Sequence, residues 1–244
     1  MALIEEFENI GNWLFRKRSY LPLVLFVFGT ILIYFDRNEF ANHSSLSFSL
    51  ICLAISFLGL FVRIFTIGFV QKGTFGRNVS GQVADALNTK DIYSIVRHPL
   101  YLGNYLIWLG IIIYIGSFWF IIVISLIFWL YYERIMFAEE SFLRNKFKDD
   151  YINWSAKTPA FIPNLKLWQK SEFTFSFKDV IKREFNGLTA ISVTFAYLDF
   201  IKNYFYYHKF YLDTFWFYFL VICVLLFIII RFLKKKTKVL NAKR

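Results

Sequence analysis

Arg97-His98-Pro99-Leu100-Tyr101-Leu102-Gly103 opens the part of the chain that decides the fold. Residues 101–137 are almost wholly apolar, are split only by Gly116-Ser117, and lead into Glu139-Glu140. A bilayer core about 30 Å thick takes roughly 20 apolar residues of helix, so this run folds back on itself as a hairpin. Its polar ends, His98 and Glu140, then return to one membrane face. Ionisable groups are expensive at membrane depth, and a functional site is the expectation where two clusters of them converge.

Working outward, further spans fall near residues 20–35, 46–70, 187–207 and 212–233, which with 101–116 and 117–137 makes six. The segment 101–116 is short, and Asp199 and Lys202 interrupt 187–207. Composition agrees: 57% of residues are hydrophobic and 18% charged, the latter below the roughly 25% usual in soluble domains. The predicted fold is all-α, a polytopic transmembrane helical bundle of about six spans, with its polar site on the cytoplasmic face. Ahead of it, Leu3, Ile4, Phe7, Ile10, Trp13 and Leu14 recur at helical spacing against Glu5, Glu6 and Glu8, which reads as an amphipathic anchor along the interface. The first strongly apolar run follows Arg16-Lys17-Arg18 and lacks a small-residue cleavage pattern, so no cleavable signal peptide is expected.

Basic residues set the orientation. With six spans, Arg16-Lys17-Arg18, the Lys72–Arg97 connection, the Lys-rich 144–183 connection and Lys234-Lys235-Lys236 share one side. The positive-inside rule makes that side, and both termini, cytoplasmic. The formal charge of +11 is mostly this bias, and such a face also attracts anionic headgroups. Basic residues interleaved with spans, and no visible binding fold, argue against nucleic acid as a partner. Cys52 and Cys223 lie inside apolar spans as small buried hydrophobes, and His43, His98 and His208 are too dispersed to hold a metal. Gly73, Gly76 and Gly81 lack dinucleotide-fingerprint spacing, no Gly-Lys-Ser/Thr phosphate loop occurs, and residues 71–90 read as a linker.

The order Tyr93, Arg97, His98, Pro99, Tyr101, Gly103, an apolar hairpin, then Glu139, Glu140, Leu143, Phe147, Tyr151, Pro159 and Pro163 resembles the isoprenylcysteine carboxyl methyltransferase and phospholipid methyltransferase superfamily. The resemblance spans residues 90–165. It implies an integral membrane enzyme moving a methyl group from S-adenosyl-L-methionine to a membrane lipid or lipid-anchored substrate. It also implies a cofactor pocket walled by His98, Pro99, Tyr101 and Gly103, the glycine allowing close approach, and closed by Glu139 and Glu140. Arg97 would hold an acidic group, Tyr151 and Trp154 would form a turn over the pocket, and Pro159 and Pro163 would fix the capping chain. Arg97, Lys157 and Tyr151 are the expected catalytic residues, and Arg63, Lys148 and Trp154 the expected substrate contacts.

Two positions depart from the family pattern. Lys148 stands where a glycine commonly follows the phenylalanine, and Lys157 where the protein-carboxyl methyltransferases usually carry arginine before the proline. Lysine lacks arginine's planar fork for a carboxylate, which favours a lipid phosphate of the lipid A type as acceptor. A prenylcysteine-type carboxylate and a phosphatidylethanolamine amine are the alternatives. The bias toward Phe, Ile, Lys, Tyr and Asn suggests an AT-rich genome, and hence a bacterial inner membrane.

Singly, these residues have plainer readings. Pro99 suits the first turn of any helix, Arg97 and His98 could snorkel at a headgroup boundary, and Glu139-Glu140 could be a solvated helix end; the joint spacing favours a site. Glu133 with Arg134, and Asp199 with Lys202, read as structural pairs. Arg63 either snorkels inward or holds a phosphate at a lipid entrance. Arg63, Asp199 and Lys202 would also suit a non-catalytic scaffold or transporter subunit with a polar path. The chain divides into 1–89, an interfacial helix and two spans; 90–170, the methyltransferase core; and 171–244, a two-span extension with a basic tail.

Overall fold

The computed structural model describes residues 2–18, 20–35, 45–70, 82–170, 173–237 and 239–240. The expected loop at 36–45, apart from Ser45, lies outside them, as do His43, Gly73, Gly76 and Gly81. The described residues form eight α-helices: α1 (Leu3–Lys17), α2 (Leu21–Phe35), α3 (Leu46–Phe69), the single turn α4 (Ile92–Ile95), α5 (Pro99–Ile115), α6 (Phe118–Ser155), α7 (Phe177–Tyr207) and α8 (Thr214–Lys236). The six apolar segments read from the sequence are α2, α3 and α5 to α8.

Helices α3, α6 and α8 are each long and apolar enough to cross a membrane, with α2 and α5 shorter. Their outward faces remain greasy: Phe118, Trp119, Leu126 and Leu130 on α6, and Ile222, Leu225, Ile228 and Phe232 on α8, are exposed. Helices satisfy their own backbone groups, so lipid can cover such faces without leaving polar groups unpaired. The protein is an integral membrane helical bundle.

The hairpin forms as its residues dictate. Pro99 occupies the first turn of α5, where its missing N–H is not needed. Gly116 ends the helix in the left-handed region (φ 92°), its N–H bonded to the Ile113 carbonyl at 2.9 Å. Helix α3 packs closely along α5 because small residues line the seam. A Cβ at Gly110 would collide with the Cys52 carbonyl and Ser56 Oγ, and Ser56 Oγ donates to the Ile107 carbonyl at 2.9 Å. The main core, with Leu53, Ile112, Phe120, Phe195 and Trp216 among its buried members, joins α2, α3, α5, α6, α7 and α8.

Helix α1 does more than rest on the interface. Its apolar face docks on α6: the Phe7 and Phe137 rings meet edge to face at 5.8 Å, the Arg134 guanidinium lies 3.4 Å over the Phe7 ring, and Tyr131 donates to the Leu14 carbonyl at 3.1 Å. Arg134 also keeps its pairing with Glu133, at 3.8 Å. Docking follows because α6 continues well past the bilayer, to Ser155, and gives the amphipathic face a protein surface to cover.

Candidate active site

Three short backbone contacts set the site. The chain from Pro159 to Asn164 runs back beside residues 95–98, with Arg97 N–H to the Pro159 carbonyl (2.9 Å), His98 N–H to the Ala160 carbonyl (3.2 Å) and Asn164 N–H to the Ile95 carbonyl (2.9 Å). Trp154 Nε1 donates to the Tyr93 carbonyl at 3.0 Å. The residues before α5 are thus clamped from outside, which fixes Arg97 and His98 where α5 starts.

Across from them, the part of α6 beyond its span presents Glu139 and Glu140. His98 Nε2 lies 2.8 Å from Glu140 Oε1 and its Nδ1 lies 3.8 Å from Glu139 Oε2. Arg97 Nη1 lies 3.4 Å from Glu140 Oε2, and Tyr101 donates to Glu139 Oε1 at 2.6 Å. The His98 and Tyr101 rings stack at 5.8 Å. One turn of α5 therefore reads both glutamates, and each glutamate holds a different partner set.

Those sets push the two carboxyls apart. Burial, with the neighbouring Glu140 charge, lifts Glu139 above the ordinary glutamate value against the pull of His98, Tyr101 and Arg18. Burial raises Glu140 too, but the His98 hydrogen bond and the charges of His98 and Arg97 outweigh it and leave this carboxyl below the ordinary value. Glu140 is then the acceptor and His98 Nε2 the donor. Burial and the nearby glutamates also raise the Tyr93 and Tyr151 phenols, which stay protonated.

These groups border a cavity of about 590 Å³, the size of a small-molecule site. Arg97, His98, Pro99, Tyr101, Glu139, Glu140, Tyr151, Trp154 and Arg63 line it. Among the described residues, two buried side-chain polar atoms have no hydrogen-bond partner, Arg97 Nε and the Tyr151 hydroxyl. Both belong to residues lining this cavity. Buried polar atoms are rarely left unpaired, so two of them on residues lining one cavity mark it as the candidate site.

Three expected residues lie elsewhere. Gly103 allows a close approach, but of helices: a Cβ there would stand 2.6 Å from Arg63 Cγ and 2.8 Å from the Gly59 carbonyl. Lys148 is exposed, at a break in α6 with φ 45° and ψ −117°, a conformation suited to glycine. The glycine usual at this position therefore answers a backbone demand, and the lysine side chain does not border the cavity. Lys157 is exposed in a shallow bowl with Pro163 and Lys166, separate from the cavity and sharing only Arg97 with it.

Arg63 lines the cavity with each of its three nitrogens already making a hydrogen bond. Nε and Nη2 bind Glu184 at 2.8 and 2.7 Å, and Nη1 donates to Asn104 Oδ1 at 2.6 Å. Sequence reading missed Asn104 and Glu184. Asn104 sits three residues beyond Tyr101 on the same face of α5, a signal that was available; Glu184 has no local signal, because its partner is 121 residues away.

The phospholipid methyltransferase family profile matches residues 44–150. The chain is 30% identical over 162 residues to the cobalt-zinc-cadmium resistance protein CzcN of Cupriavidus metallidurans, covering 66% of this chain and 70% of that one. It is 32% identical over 116 residues to the protein-S-isoprenylcysteine O-methyltransferase of Schizosaccharomyces pombe, 45% of this chain and 48% of that one. It is 31% identical over 119 residues to the nickel-cobalt-cadmium resistance protein NccN of Alcaligenes xylosoxydans xylosoxydans, 46% and 55% of the two chains. The chain thus spans about half the length of the latter two relatives. No solved structure matches. Among the described residues, no group of three His, Cys, Asp or Glu side chains is placed to hold a metal ion.

Proposed function

The chain belongs to the isoprenylcysteine carboxyl methyltransferase and phospholipid methyltransferase superfamily, and from that premise we propose that it is an S-adenosyl-L-methionine-dependent methyltransferase acting on the polar headgroup of a membrane lipid. The observation that carries this reading is the pair of unpartnered buried atoms, Arg97 Nε and the Tyr151 hydroxyl, beside Glu139 and Glu140 in one cavity. This donor and acceptor set fits the cofactor. Arg97 would take its carboxylate, Glu139 its ammonium or a ribose hydroxyl, and the Tyr101 ring offers a π face to a cation. Bound there, S-adenosyl-L-methionine would supply a methyl carbon activated by its sulfonium; the acceptor atom bonds to that carbon as the carbon–sulfur bond breaks, the electron pair leaving with sulfur.

What remains for the protein is to hold, orient and keep water out. Glu140 fixes the imidazole of His98 and the guanidinium of Arg97 at once, so the wall facing the cofactor is set before binding. Trp154, tied to the Tyr93 carbonyl, and Tyr151 cover the cavity from the cap.

The preferred acceptor is a lipid phosphate, as on lipid A-type glycolipids. Its oxygen is already ionised and needs no base, whereas an ethanolamine ammonium must first lose a proton and His98 is already held by Glu140. A prenylcysteine-type carboxylate shares the phosphate's advantage and is the competing acceptor. In this reading residues 1–89 are an interfacial helix and two spans, 90–170 the methyltransferase core and 171–244 a two-span extension with a basic tail, in a bacterial inner membrane with both termini cytoplasmic.

Incubating the purified protein with methyl-labelled cofactor and a total lipid extract tests this. Label on a phosphate-bearing lipid supports the reading, and label confined to amine headgroups sinks the phosphate assignment. A protein that binds no S-adenosylhomocysteine in calorimetry is a scaffold or transporter subunit instead.

A further inference from the structure

Helix α1 precedes the matched family region, residues 44–150, yet its end reaches the cavity. Phe15 and Arg18 line it together with Glu139. The helix is seated too closely to be a loose anchor. A Cβ at Gly11 would collide with the Arg134 carbonyl and the Ala138 Cβ, so α1 and α6 approach backbone to backbone just before Glu139. Beyond it, Ser141 Oγ donates to Glu8 Oε1 at 2.9 Å. Gln82, which also borders the cavity, donates through Nε2 to Asn12 Oδ1 at 3.4 Å.

Phe15 fixes Arg18 at the end of this helix. The Arg18 guanidinium lies 3.8 Å over the Phe15 ring, and its Nη1 donates to the Phe15 carbonyl at 3.1 Å. The ring is itself buried against Phe128, Tyr132, Ile135 and Met136 of α6, with Tyr101 of α5 packed on the same cluster. A planar head that is stacked and bonded in this way is already ordered, and loses little further freedom in acting on a neighbour. Arg18 is half-buried, so its charge is screened less than that of a surface cation.

The groups that face Glu139 are His98 and Tyr101 from α5, Tyr93 from α4, Glu140 and Tyr132 from α6, and Arg18 from α1. Burial and the Glu140 charge work against the ionised form of Glu139, while His98, Tyr101 and Arg18 favour it. Arg18 is the one of these three that comes from outside the family region. A protonated Glu139 would be neutral and would give up an acceptor site to its own proton. We infer that α1 is part of the active site and that Arg18 is a positioning residue, acting through Glu139 to keep its carboxylate an acceptor for the cofactor's ammonium or ribose. This rests on the methyltransferase reading above.

Calorimetry of S-adenosylhomocysteine binding to the full-length protein in detergent, between about pH 5 and about pH 8, tests it. The readout is the fall in affinity on acidification that protonation of Glu139 causes and Glu139→Gln lacks. Arg18→Gln should move that fall up by about one pH unit, with affinity at about pH 8 within roughly twofold of the unmutated protein. Arg18→Lys keeps the charge and should restore most of the original profile. On a Glu139→Gln background, Arg18→Gln should change affinity by less than about twofold at every pH, because the carboxylate through which it acts is gone. An unmoved profile in Arg18→Gln, a lysine variant that behaves like the glutamine one, an effect that persists without the Glu139 carboxylate, or an equal loss at every pH, as packing damage to α1 would give, each overturns the positioning role. If the unmutated protein binds no S-adenosylhomocysteine at any pH, the methyltransferase reading fails and this inference falls with it.

Discussion

Two clusters of buried polar side chains stand at the two ends of α5, and they are built on opposite plans. At its start, His98, Tyr101, Arg97, Glu139, Glu140 and Tyr151 surround a cavity and leave two buried polar atoms without partners. Near its end, roughly 24 Å along the axis at 1.5 Å per residue, Asp199 accepts from the Asp213 N–H (3.0 Å), Asn203 Nδ2 (3.1 Å) and the Tyr114 hydroxyl (3.3 Å). Lys202 donates to the Tyr114 carbonyl at 2.6 Å, with its ammonium 3.8 Å over the Tyr114 ring. The second cluster closes on itself and pins α7 to α5 and to the α7–α8 connection. Burying charge is costly in both places; only the first borders a cavity and keeps buried polar atoms without partners, and that separates a candidate site from a staple.

Substitutions can break this contrast. His98→Ala and Glu140→Gln each remove a charge-assisted bond from the cavity wall, and S-adenosylhomocysteine affinity should fall by about 10- to 100-fold with little change in thermal midpoint. If instead the midpoint drops and affinity holds, the first cluster is a staple as well. Asp199→Ala should do the reverse. It leaves a buried lysine and a buried backbone N–H short of partners, costing about 3 kcal/mol of stability, measurable by thermal unfolding in detergent, with cofactor affinity preserved in the folded protein.

Acidification sharpens the comparison within the first cluster. Glu139 sits above the ordinary value and so loses its charge first as pH falls; Glu140, held low, keeps its charge further down. Cofactor affinity should therefore begin to fall above the ordinary glutamate pKa, a limb absent in Glu139→Gln and retained in Glu140→Gln. Stability carries the matching signs. A raised carboxyl favours the folded state as pH falls from its folded value to the ordinary one, and a lowered carboxyl stabilises above the ordinary value and loses that as pH falls through its own. The smallest effect concerns neither cluster. Lys148→Gly relieves a positive φ on an exposed lysine and should raise stability by about 1 kcal/mol without altering acceptor affinity. A loss of acceptor affinity would return Lys148 to the site.

Much of the architecture was legible because it depends on local chemistry. Apolar length set the spans, Pro99 and Gly116 set the limits of α5, and the hairpin forced His98 and Glu140 together. The reading of Asp199 and Lys202 as a structural pair holds, since the two charges attract each other, but it was incomplete. Both side chains reach α5 or the following connection, because a buried charge takes the strongest partner within reach and not the nearest in sequence. Lys148 and Lys157 misled for a related reason: a cation in a motif invites an electrostatic reading, while the position of Lys148 is governed by backbone conformation and that of Lys157 by the cap's outer surface.

By itself the sequence determined that this protein lives in a bilayer, that one hairpin returns two polar clusters to the same face, and that its superfamily transfers methyl groups. The first two follow from helix geometry and from the cost of polar groups in lipid, the third from the resemblance carried by residues 90–165. Only the tertiary structure decided that Arg63 is bound to Glu184, and that α1 closes on α6 and brings Arg18 to the cavity. Such contacts join residues more than fifty positions apart, and nothing in the local pattern of either partner records which face of one helix will pack against another.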